Sequence, residues 1–218
     1  MKKLICFSLW GKQKKYTVGA VKNADLALSI YPDWVCRYYV GSSVPRYTVE
    51  KLRKRKNTEV FLMNEPGDWT SMFWRFYPAS EQDVECMLSR DTDSRLTVRE
   101  RDAVEEWLAS DKGFHIMRDH PYHATEILGG MWGVKRGVIP EMKNMIDRYI
   151  KGDFWQVDQN FLKEVYPLIR DNAFVHDPFF EKKRFPTSRA PGQFVGQALN
   201  ADDTMCEPSH AQMVKGVQ

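Results

Sequence analysis

The sequence predicts a single α/β domain in which a mixed, mostly parallel central sheet is flanked by helices. Short apolar runs typical of strands alternate with segments of helical periodicity through the first half of the chain. This alternation is typical of a largely parallel sheet. With 218 residues, of which 43% are hydrophobic, the chain is long enough to bury one sizeable core. Ligands of such sheets bind beyond the carboxyl ends of the strands, so that is where we expect the site.

The strands predicted in the first half of the chain are Leu4–Trp10, Trp34–Val40, Glu59–Met63 and Asp83–Ser89. Apolar residues at helical spacing predict a helix from Tyr16 to Tyr31, which Pro32 stops. Pro45 suits the first turn of a second helix. The basic run Lys51–Lys56 on that helix is interpreted as a solvated face. A short aromatic helix is expected from Thr70 to Tyr77.

In the second half, Thr97 and Glu100 have the spacing of a capping box and open a helix. The later elements predicted are the strands Phe114–Met117, Ile127–Val134 and Ala173–Val175 and the helices Pro140–Ile150 and Asp158–Ile169. Pro167 is expected to end or kink the last helix. The polar composition of residues 201–218 predicts a tail, or a linker to a possible further domain, which leaves residues 1–200 as the domain.

The composition excludes several classes of protein. A net charge of +3 predicts no strong attraction to nucleic acid or to a membrane surface. The four cysteines show no CxxC spacing, which argues against a zinc site or a disulfide framework and favours reduced thiols. No apolar run is long enough to span a membrane. We therefore expect a cytoplasmic protein.

Asp91 and Asp93 directly follow the fourth predicted strand. Carboxylates spaced i, i+2 at a strand end can be aimed at one hard cation. Mg²⁺ and Mn²⁺ take oxygen ligands and often keep positions open for phosphate oxygens. A solvated, aspartate-rich turn fits the same pattern. An EF-hand loop is excluded because its sixth position requires glycine, and Leu96 stands there.

Two other classes remain as alternatives. A haloacid-dehalogenase-like phosphohydrolase also places Asp-x-Asp after a strand, and would use Asp91 as its nucleophile. The Asp202-Asp203 pair could serve as its later acidic motif, although the pattern usually comes early in the chain and has Thr or Val where Arg95 stands. The second alternative is a carbohydrate-binding module without enzymatic activity, suggested by the 7 Trp and 9 Tyr residues.

Motifs spread over residues 1–200 resemble those of GT-A glycosyltransferases, and they occur in the same order. Asp91-Thr92-Asp93 resembles the DxD motif of that family. The other matching stretches resemble the helix before the DxD strand, the glycine-containing strand near the sugar, the acidic helix start and a late histidine: Met72–Phe76, Leu128–Gly133, Val157–Gln159 and His176-Asp177. The resemblance implies a GT-A-like, Rossmann-like domain, and it extends to the N-terminal domain of a large multidomain chlorovirus glycosyltransferase.

The resemblance implies a metal-dependent enzyme that uses Mn²⁺ or Mg²⁺. Its metal site would contain Asp93 and His176, with Asp91 binding the ribose or the metal through water. The residues implied at the donor are Ser8, Trp10, Arg75, Asp91, Thr92, Asp93, Gly129, Gly130, His176 and Lys183. Ser8 and Trp10 alternate with core residues along the first strand, so they share its other face.

Asp158 and Asp119 are the implied catalytic residues. Asp158 would be a general base in an inverting enzyme, or would steady the sugar or the developing cationic centre in a retaining one. Gln159 after it favours retention by analogy with the family, whereas a helix cap is the plainer interpretation of Asp158. Asp119, with Arg118 and His123, would bind hydroxyl groups of the sugar or acceptor. A purely structural loop fits this stretch as well.

The implied reaction transfers a hexose or deoxyhexose, such as glucose or rhamnose, from a UDP-sugar to a hydroxyl of a glycan or glycoprotein acceptor. The viral resemblance implies glycan synthesis in a host cytoplasm and further domains of the same polypeptide. No nucleic-acid partner and no membrane span are expected.

Overall fold

Seven strands form one sheet in the computed structural model, which describes residues 1–217. The strands are β1 (Lys2–Leu9), β2 (Val35–Val40), β3 (Thr58–Leu62), β4 (Val84–Ser89), β5 (Phe114–Met117), β6 (Trp132–Lys135) and β7 (Ala173–His176). Their order across the sheet is β3-β2-β1-β4-β6-β5-β7. Within the described residues, β6 runs antiparallel to β4 and β5, and the other neighbours are parallel. The predicted fold class is confirmed.

The helices flank this sheet and begin and end near the predicted signals. They are α1 (Lys14–Ile30), α2 (Arg46–Arg53), α3 (Val98–Ala109), α4 (Met142–Arg148), α5 (Val157–Ile169) and α6 (Pro208–Met213), with a 3₁₀ segment over Trp69–Ser80. Pro32 stops α1, and the Thr97 side chain caps α3 by accepting from the Glu100 N–H at 3.1 Å. No helix in residues 1–217 is both long enough and apolar enough to cross a bilayer.

Side chains alternate along β1 and divide the core into two layers. Phe7 and Leu9 pack in the layer that contains α1 and α3, whereas Leu4 and Cys6 pack in the layer that contains the 3₁₀ segment, α4 and α5. Ser8 lies on the second face, where its Oγ accepts from the Arg75 N–H at 3.1 Å. The polar end of β1 therefore faces the 3₁₀ segment.

Two elements differ from the predicted ones. The strand expected over Ile127–Val134 is a strand only from Trp132 onward, because residues 127–131 turn so that two glycines can pass beside acidic side chains. Pro167 lies inside α5, which continues to Ile169. The proline removes one helix hydrogen bond close to the helix end, where little of the helix remains to be disrupted.

The polar stretch after β7 packs back on the domain as far as residue 217. Phe194 and Val195 are buried, and the Leu199 N–H donates to the Asp93 carbonyl at 2.7 Å. Asp203 forms ion pairs with Lys22 and Arg95. The described part of residues 201–218 thus contacts the domain, whereas a linker to a further domain stays a prediction, and the last residue, Gln218, lies outside the described residues. Such irregular polar contacts carry no periodic signal in the sequence.

Candidate active site

A cavity of about 380 Å³ opens at the carboxyl ends of β1 and β4. The residues predicted for donor, metal or catalytic roles that line it are Ser8, Trp10, Arg75, Asp91, Thr92, Asp93, Gly129, Gly130 and Asp158. They come from the end of β1, the 3₁₀ segment, the loop after β4, the turn before β6 and the first turn of α5. Segments far apart in the chain therefore converge at the sheet edge where ligands of α/β proteins bind.

Arg75 joins the acidic residues of this cavity. Its side chain is buried, contacts Asp91 Oδ1 through Nη1, and donates to Asp158 Oδ2 through Nη2 at 2.9 Å. Nη1 also donates to the Arg90 carbonyl at 3.1 Å. Burial raises the pKa of Asp158, and the Arg75 charge opposes that rise. One guanidinium therefore fixes the positions of two carboxylates.

Asp93 lies deeper in the cavity wall than Asp91. Burial raises the pKa of Asp93, the negative charge of Asp91 raises it further, and Lys15 acts in the opposite direction. The Lys15 Nζ lies 3.3 Å from Asp93 Oδ2 and 4.5 Å from the centroid of the Tyr16 ring. The two carboxylates are thus close enough to repel one another.

Gly129 and Gly130 are required by close packing against the acidic residues. A Cβ atom on Gly129 would lie 2.0 Å from Asp158 Oδ2, and one on Gly130 would lie 2.0 Å from Asp91 Oδ2. Helix α1 approaches from the other side in the same way, since a Cβ atom on Gly19 would lie 2.0 Å from the Thr92 carbonyl oxygen. The backbone can surround the carboxylates only because these positions lack side chains.

The carboxylate pair fits a divalent cation that takes its remaining ligands from a substrate. Asp91 has a side chain that is 44% exposed, and a cation beside it would relieve the repulsion that raises the pKa of Asp93. Among residues 1–217, no three His, Cys, Asp or Glu side chains gather into a complete metal cage. Mg²⁺ is usually held by one or two carboxylates together with substrate phosphates, so two carboxylates suffice.

His176 does not line the cavity, which corrects its predicted place at the metal and the donor. It is buried, its Nδ1 lies 2.8 Å from His115 Nε2, and its Nε2 lies 3.0 Å from Glu106 Oε2. Both ring nitrogens therefore have protein partners. The physical reason is the sheet order, since β6 and β5 separate β7 from β4 by three strand spacings, about 14 Å.

The buried histidines predict a pH-dependent stability. Burial holds the pKa of His115 well below its usual value, and it also lowers the pKa of His176. The unfolded chain takes up protons at these rings near pH 6.5 and the folded chain does not. The free energy of unfolding should therefore fall as the pH drops from about 7 to 5, by at most about 1.4 kcal/mol per pH unit for each ring.

Urea unfolding across this pH range measures the effect. The raised pKa values of Asp93 and Asp158 act in the opposite direction. A carboxyl whose pKa is raised in the folded state contributes stability at low pH that the protein loses as the pH rises. The informative comparison is therefore between wild type and His115→Leu, whose pH slope should be shallower. Equal slopes in the two proteins would contradict the prediction.

Asp119 and Lys183 are also absent from the cavity lining, which corrects their catalytic and donor-binding roles. Asp119 is fully buried and accepts hydrogen bonds from Arg99, Arg189 and the Val195 N–H. A carboxylate enclosed by two guanidinium groups cannot reach a sugar hydroxyl unless the segment that covers it opens. The Lys183 side chain is exposed and pairs with a neighbouring glutamate instead.

His123 does line the cavity, as expected for a residue near the sugar or acceptor. Burial, reinforced by His120, lowers the pKa of His123 to about 3, so the ring is neutral. Its Nδ1 accepts a hydrogen bond from the Asp119 N–H at 3.0 Å. The proton must therefore reside on Nε2, which makes that atom a hydrogen-bond donor.

Several residues at the cavity were missed by the sequence analysis. Tyr16 lines the cavity from the first turn of α1, shortly after the end of β1, so its place at this edge could have been predicted from the strand-helix order. Trp155 and Gly196 also line the cavity, but they lie in irregular stretches. No periodicity of 2 or 3.6 residues marks such stretches.

Asp202 and Asp203 do not line the cavity and so do not join Asp91 as the phosphohydrolase alternative requires. Asp203 is paired with Lys22 and Arg95, and Asp202 accepts a hydrogen bond from the Thr204 hydroxyl at 2.6 Å. The sequence-based alternative therefore lacks its second acidic group at the site.

No family model and no curated protein matches the sequence. Solved structures do match in fold. A glycosyltransferase involved in glycosylation of the major capsid of PBCV-1 has a TM-score of 0.54 and 16% identity over 86% of this chain and 95% of its own. S. aureus TarS 1-349 in complex with UDP-GlcNAc has a TM-score of 0.57 and 13% identity over 87% of this chain and 59% of its own.

A third similar structure is the mannosyltransferase PcManGT from Pyrobaculum calidifontis in complex with GDP-Man and Mn²⁺. It has a TM-score of 0.52 and 12% identity over 84% of this chain and 58% of its own. The chain thus spans nearly the whole of the viral enzyme but little more than half of the other two. At these identities the likeness defines the fold, and the chain has a GT-A-like α/β fold.

Proposed function

We propose that this protein is a metal-dependent glycosyltransferase that moves a hexose or deoxyhexose, glucose-like or rhamnose-like, from a UDP-sugar to a hydroxyl of a glycan acceptor. The observation that carries the proposal is the contact of Arg75 with both Asp91 and Asp158 inside one cavity. These three residues belong to motifs that the sequence suggested separately. Fold alone does not define a reaction, so their convergence is the main support.

The fold comparisons add support at a coarser level. The similar structures include a glycosyltransferase and a mannosyltransferase, the second in complex with GDP-Man and Mn²⁺, and TarS in complex with UDP-GlcNAc. A nucleotide-sugar donor and a divalent cation are therefore reasonable for this cavity. The choice of UDP and of the sugar is our proposal.

Asp93 and Asp91 would hold Mn²⁺ or Mg²⁺, which acts as a Lewis acid on the leaving diphosphate when it is bound. Ser8 and Trp10, at the end of β1, would bind the nucleoside. Arg75 keeps Asp91 in place through its buried guanidinium. Gly129 and Gly130 line the cavity, and the lack of side chains there would let Asp158 and Asp91 lie against the backbone beside the sugar ring.

The surroundings of Asp158 support retention of the anomeric configuration. One carboxylate oxygen accepts from Arg75 at 2.9 Å, and the other accepts from the Gln159 N–H at 2.9 Å. Each oxygen keeps a second lone pair, but the contacts fix the carboxylate in place and the Arg75 charge favours its ionised form, which suits electrostatic stabilisation. Asp158 would therefore stabilise positive charge on the sugar as the bond to the diphosphate breaks.

Calorimetric titration with UDP in Mn²⁺ tests the proposal. Wild type should bind UDP in a Mn²⁺-dependent manner, and Asp93→Ala should weaken binding by about tenfold or more, since a charged contact to the cation is lost. Asp171→Ala is the matched control, because its side chain is 96% exposed. Equal UDP binding in chelator would contradict the metal dependence, and glycan binding without any nucleotide binding would favour the carbohydrate-binding alternative.

Gly130→Ala should weaken UDP binding through Asp91 without unfolding the protein. The new Cβ would lie 2.0 Å from Asp91 Oδ2, so this side chain must rotate away from Arg75. We expect a loss of UDP affinity of about tenfold or more with a loss of stability of about 1–3 kcal/mol. Gly137→Ala is the control, because its Cβ would meet nothing within 4 Å and only its φ of +77° is strained. Equal UDP affinity in the two variants would contradict the prediction.

A further inference from the structure

Large aromatic side chains are exposed at the mouth of the cavity. Trp155 is 66% exposed and Trp69 is 38% exposed, and both line the cavity. Phe154, next to Trp155 in the chain, is 44% exposed. Side chains of this size are mostly buried in folded proteins, because burial of their apolar area is favourable. Their exposure beside a cavity indicates a surface that a ligand covers.

The segments that carry the two tryptophans contact one another. The backbone N–H of Trp69 donates to Asp153 Oδ1 at 3.2 Å, which joins the start of the 3₁₀ segment to the segment that carries Trp155. Trp69 also packs edge-on against Trp10, with 6.3 Å between ring centroids and an interplanar angle of 82°. We call Trp69 and Trp155 the aromatic rim.

The aromatic rim is directly connected to the acidic centre of the cavity. Gln156 has a left-handed backbone, with φ 69° and ψ 15°, and it turns the chain between exposed Trp155 and buried Val157. Asp158 follows in the first turn of α5. A non-glycine residue in this conformation is uncommon and often found at functional sites. A ligand on the rim would therefore lie beside the carboxylate that Arg75 contacts.

The charges at the cavity favour an uncharged ligand on the rim. Within the described residues, Arg75 is the one arginine or lysine that lines the cavity, and it already contacts Asp91 and Asp158. Lys15, just outside the lining, is paired with Asp93 at 3.3 Å, so a phosphate or carboxylate on a ligand at the rim would meet only cations that already have acidic partners. Gln156 and Gln159 line the same cavity and offer amide donors and acceptors that suit hydroxyl groups.

We infer that the aromatic rim is the acceptor subsite, where Trp155 and Trp69 pack against the apolar C–H face of a neutral pyranose ring. The neighbouring amides of Gln156 and Gln159 bind its hydroxyl groups. Such sites combine aromatic walls with a few placed polar groups. The inference rests on the proposed glycosyl transfer, which requires an acceptor hydroxyl at the Asp158 end of the cavity.

Saturation-transfer NMR on the full chain, with saturating UDP and the diamagnetic ion Mg²⁺ present, tests this subsite. The probes are the methyl glycosides of glucose, galactose, mannose, rhamnose, fucose and xylose. At least one should receive saturation at its ring C–H protons from wild type. Trp155→Ala should weaken that binding by about tenfold or more, as expected for loss of an aromatic anchor. Tyr47→Ala should match wild type, because Tyr47 is 54% exposed but does not line the cavity.

Calorimetric titration with UDP separates failure of this subsite from failure of the proposed function. Unchanged UDP affinity in Trp155→Ala, together with lost glycoside binding, supports the acceptor subsite. Lost UDP affinity with retained glycoside binding would overturn it, because Trp155 would then contact the nucleotide. Equal glycoside binding by wild type and Trp155→Ala, or no glycoside binding by wild type, would also overturn it. Absence of UDP binding by wild type would instead contradict the proposed function.

Discussion

Replacing Arg75 with methionine should lower the free energy of unfolding by about 3–5 kcal/mol, the usual cost of breaking a buried ion pair by removing one partner. The reason is that Asp158, which is 2% exposed, would keep a buried charge without its cation. Loss of the Arg75 charge should cost much less free energy at Asp91, since its side chain is 44% exposed and water can solvate its charge. Urea unfolding at neutral pH measures the loss.

The pH dependence of that loss identifies its cause. Without Arg75 the pKa of Asp158, which burial already raises, should rise further. A carboxyl whose folded pKa is raised contributes stability at low pH that is lost as the pH rises. The difference between Arg75→Met and wild type should therefore shrink as the pH is lowered toward about 4, the usual pKa range of aspartate.

Two further variants test whether the ion pair is responsible. Arg75→Met combined with Asp158→Asn should recover part of the loss, because no uncompensated charge remains buried. Arg170→Met is the matched control, since Arg170 is 61% exposed and its acidic neighbour lies 3.9 Å away. An Arg75→Met protein as stable as wild type at every pH would show that Asp158 is not charged in the folded state.

The sequence predicted the part of the site that depends on strand ends. The strand before Asp91 was marked by an apolar run between Asp83 and Ser89, and alternation along the first strand separated Ser8 from its core neighbours. Parallel strands bring their carboxyl ends to one edge of a sheet, so these groups had to be near one another. The sequence pattern of these strands and their parallel arrangement were together enough to predict this part of the site.

The sequence could not predict which late polar residues reach that edge. His176 ends a strand just as the residues before Asp91 do, but β7 lies three strand spacings away from β4. Strand order is decided by long-range packing, and a short apolar run such as Ala173–Val175 carries no information about it. A polar residue at a strand end can therefore face either a cavity or an internal partner such as His115.

The contacts of the chain after β7 could not be predicted from the sequence, for a related reason. Its contacts are backbone hydrogen bonds and ion pairs such as those of Asp203, and neither leaves a hydrophobic period. Nevertheless Gly196 and Ala198 form part of the cavity wall, and the Leu199 N–H is bonded to the Asp93 carbonyl. The acidic centre thus depends on residues 196–199, whose place beside it is marked by no periodicity in the sequence.

Asp119→Asn should weaken this wall and lower the free energy of unfolding by about 3–5 kcal/mol. The substitution keeps the size of the side chain but leaves the buried guanidinium groups of Arg99 and Arg189 without their shared counter-charge. It also weakens the bond at 2.9 Å from the Val195 N–H to Asp119 Oδ2. Urea unfolding measures the global loss, and hydrogen exchange at the Val195 and Leu199 amides should show faster opening of the segment.

This variant also decides between an anchoring and a catalytic role for Asp119. If Asp119 anchors the wall, UDP affinity should fall as the segment opens, because the Leu199 N–H no longer holds the Asp93 backbone. Asp111→Asn, at an exposed aspartate after α3, should leave both stability and exchange unchanged. Wild-type stability and exchange combined with lost sugar transfer would favour the catalytic role. The buried position of the carboxylate between two arginines argues for the anchor, since a group with no exposed surface cannot meet a substrate unless the segment that covers it opens.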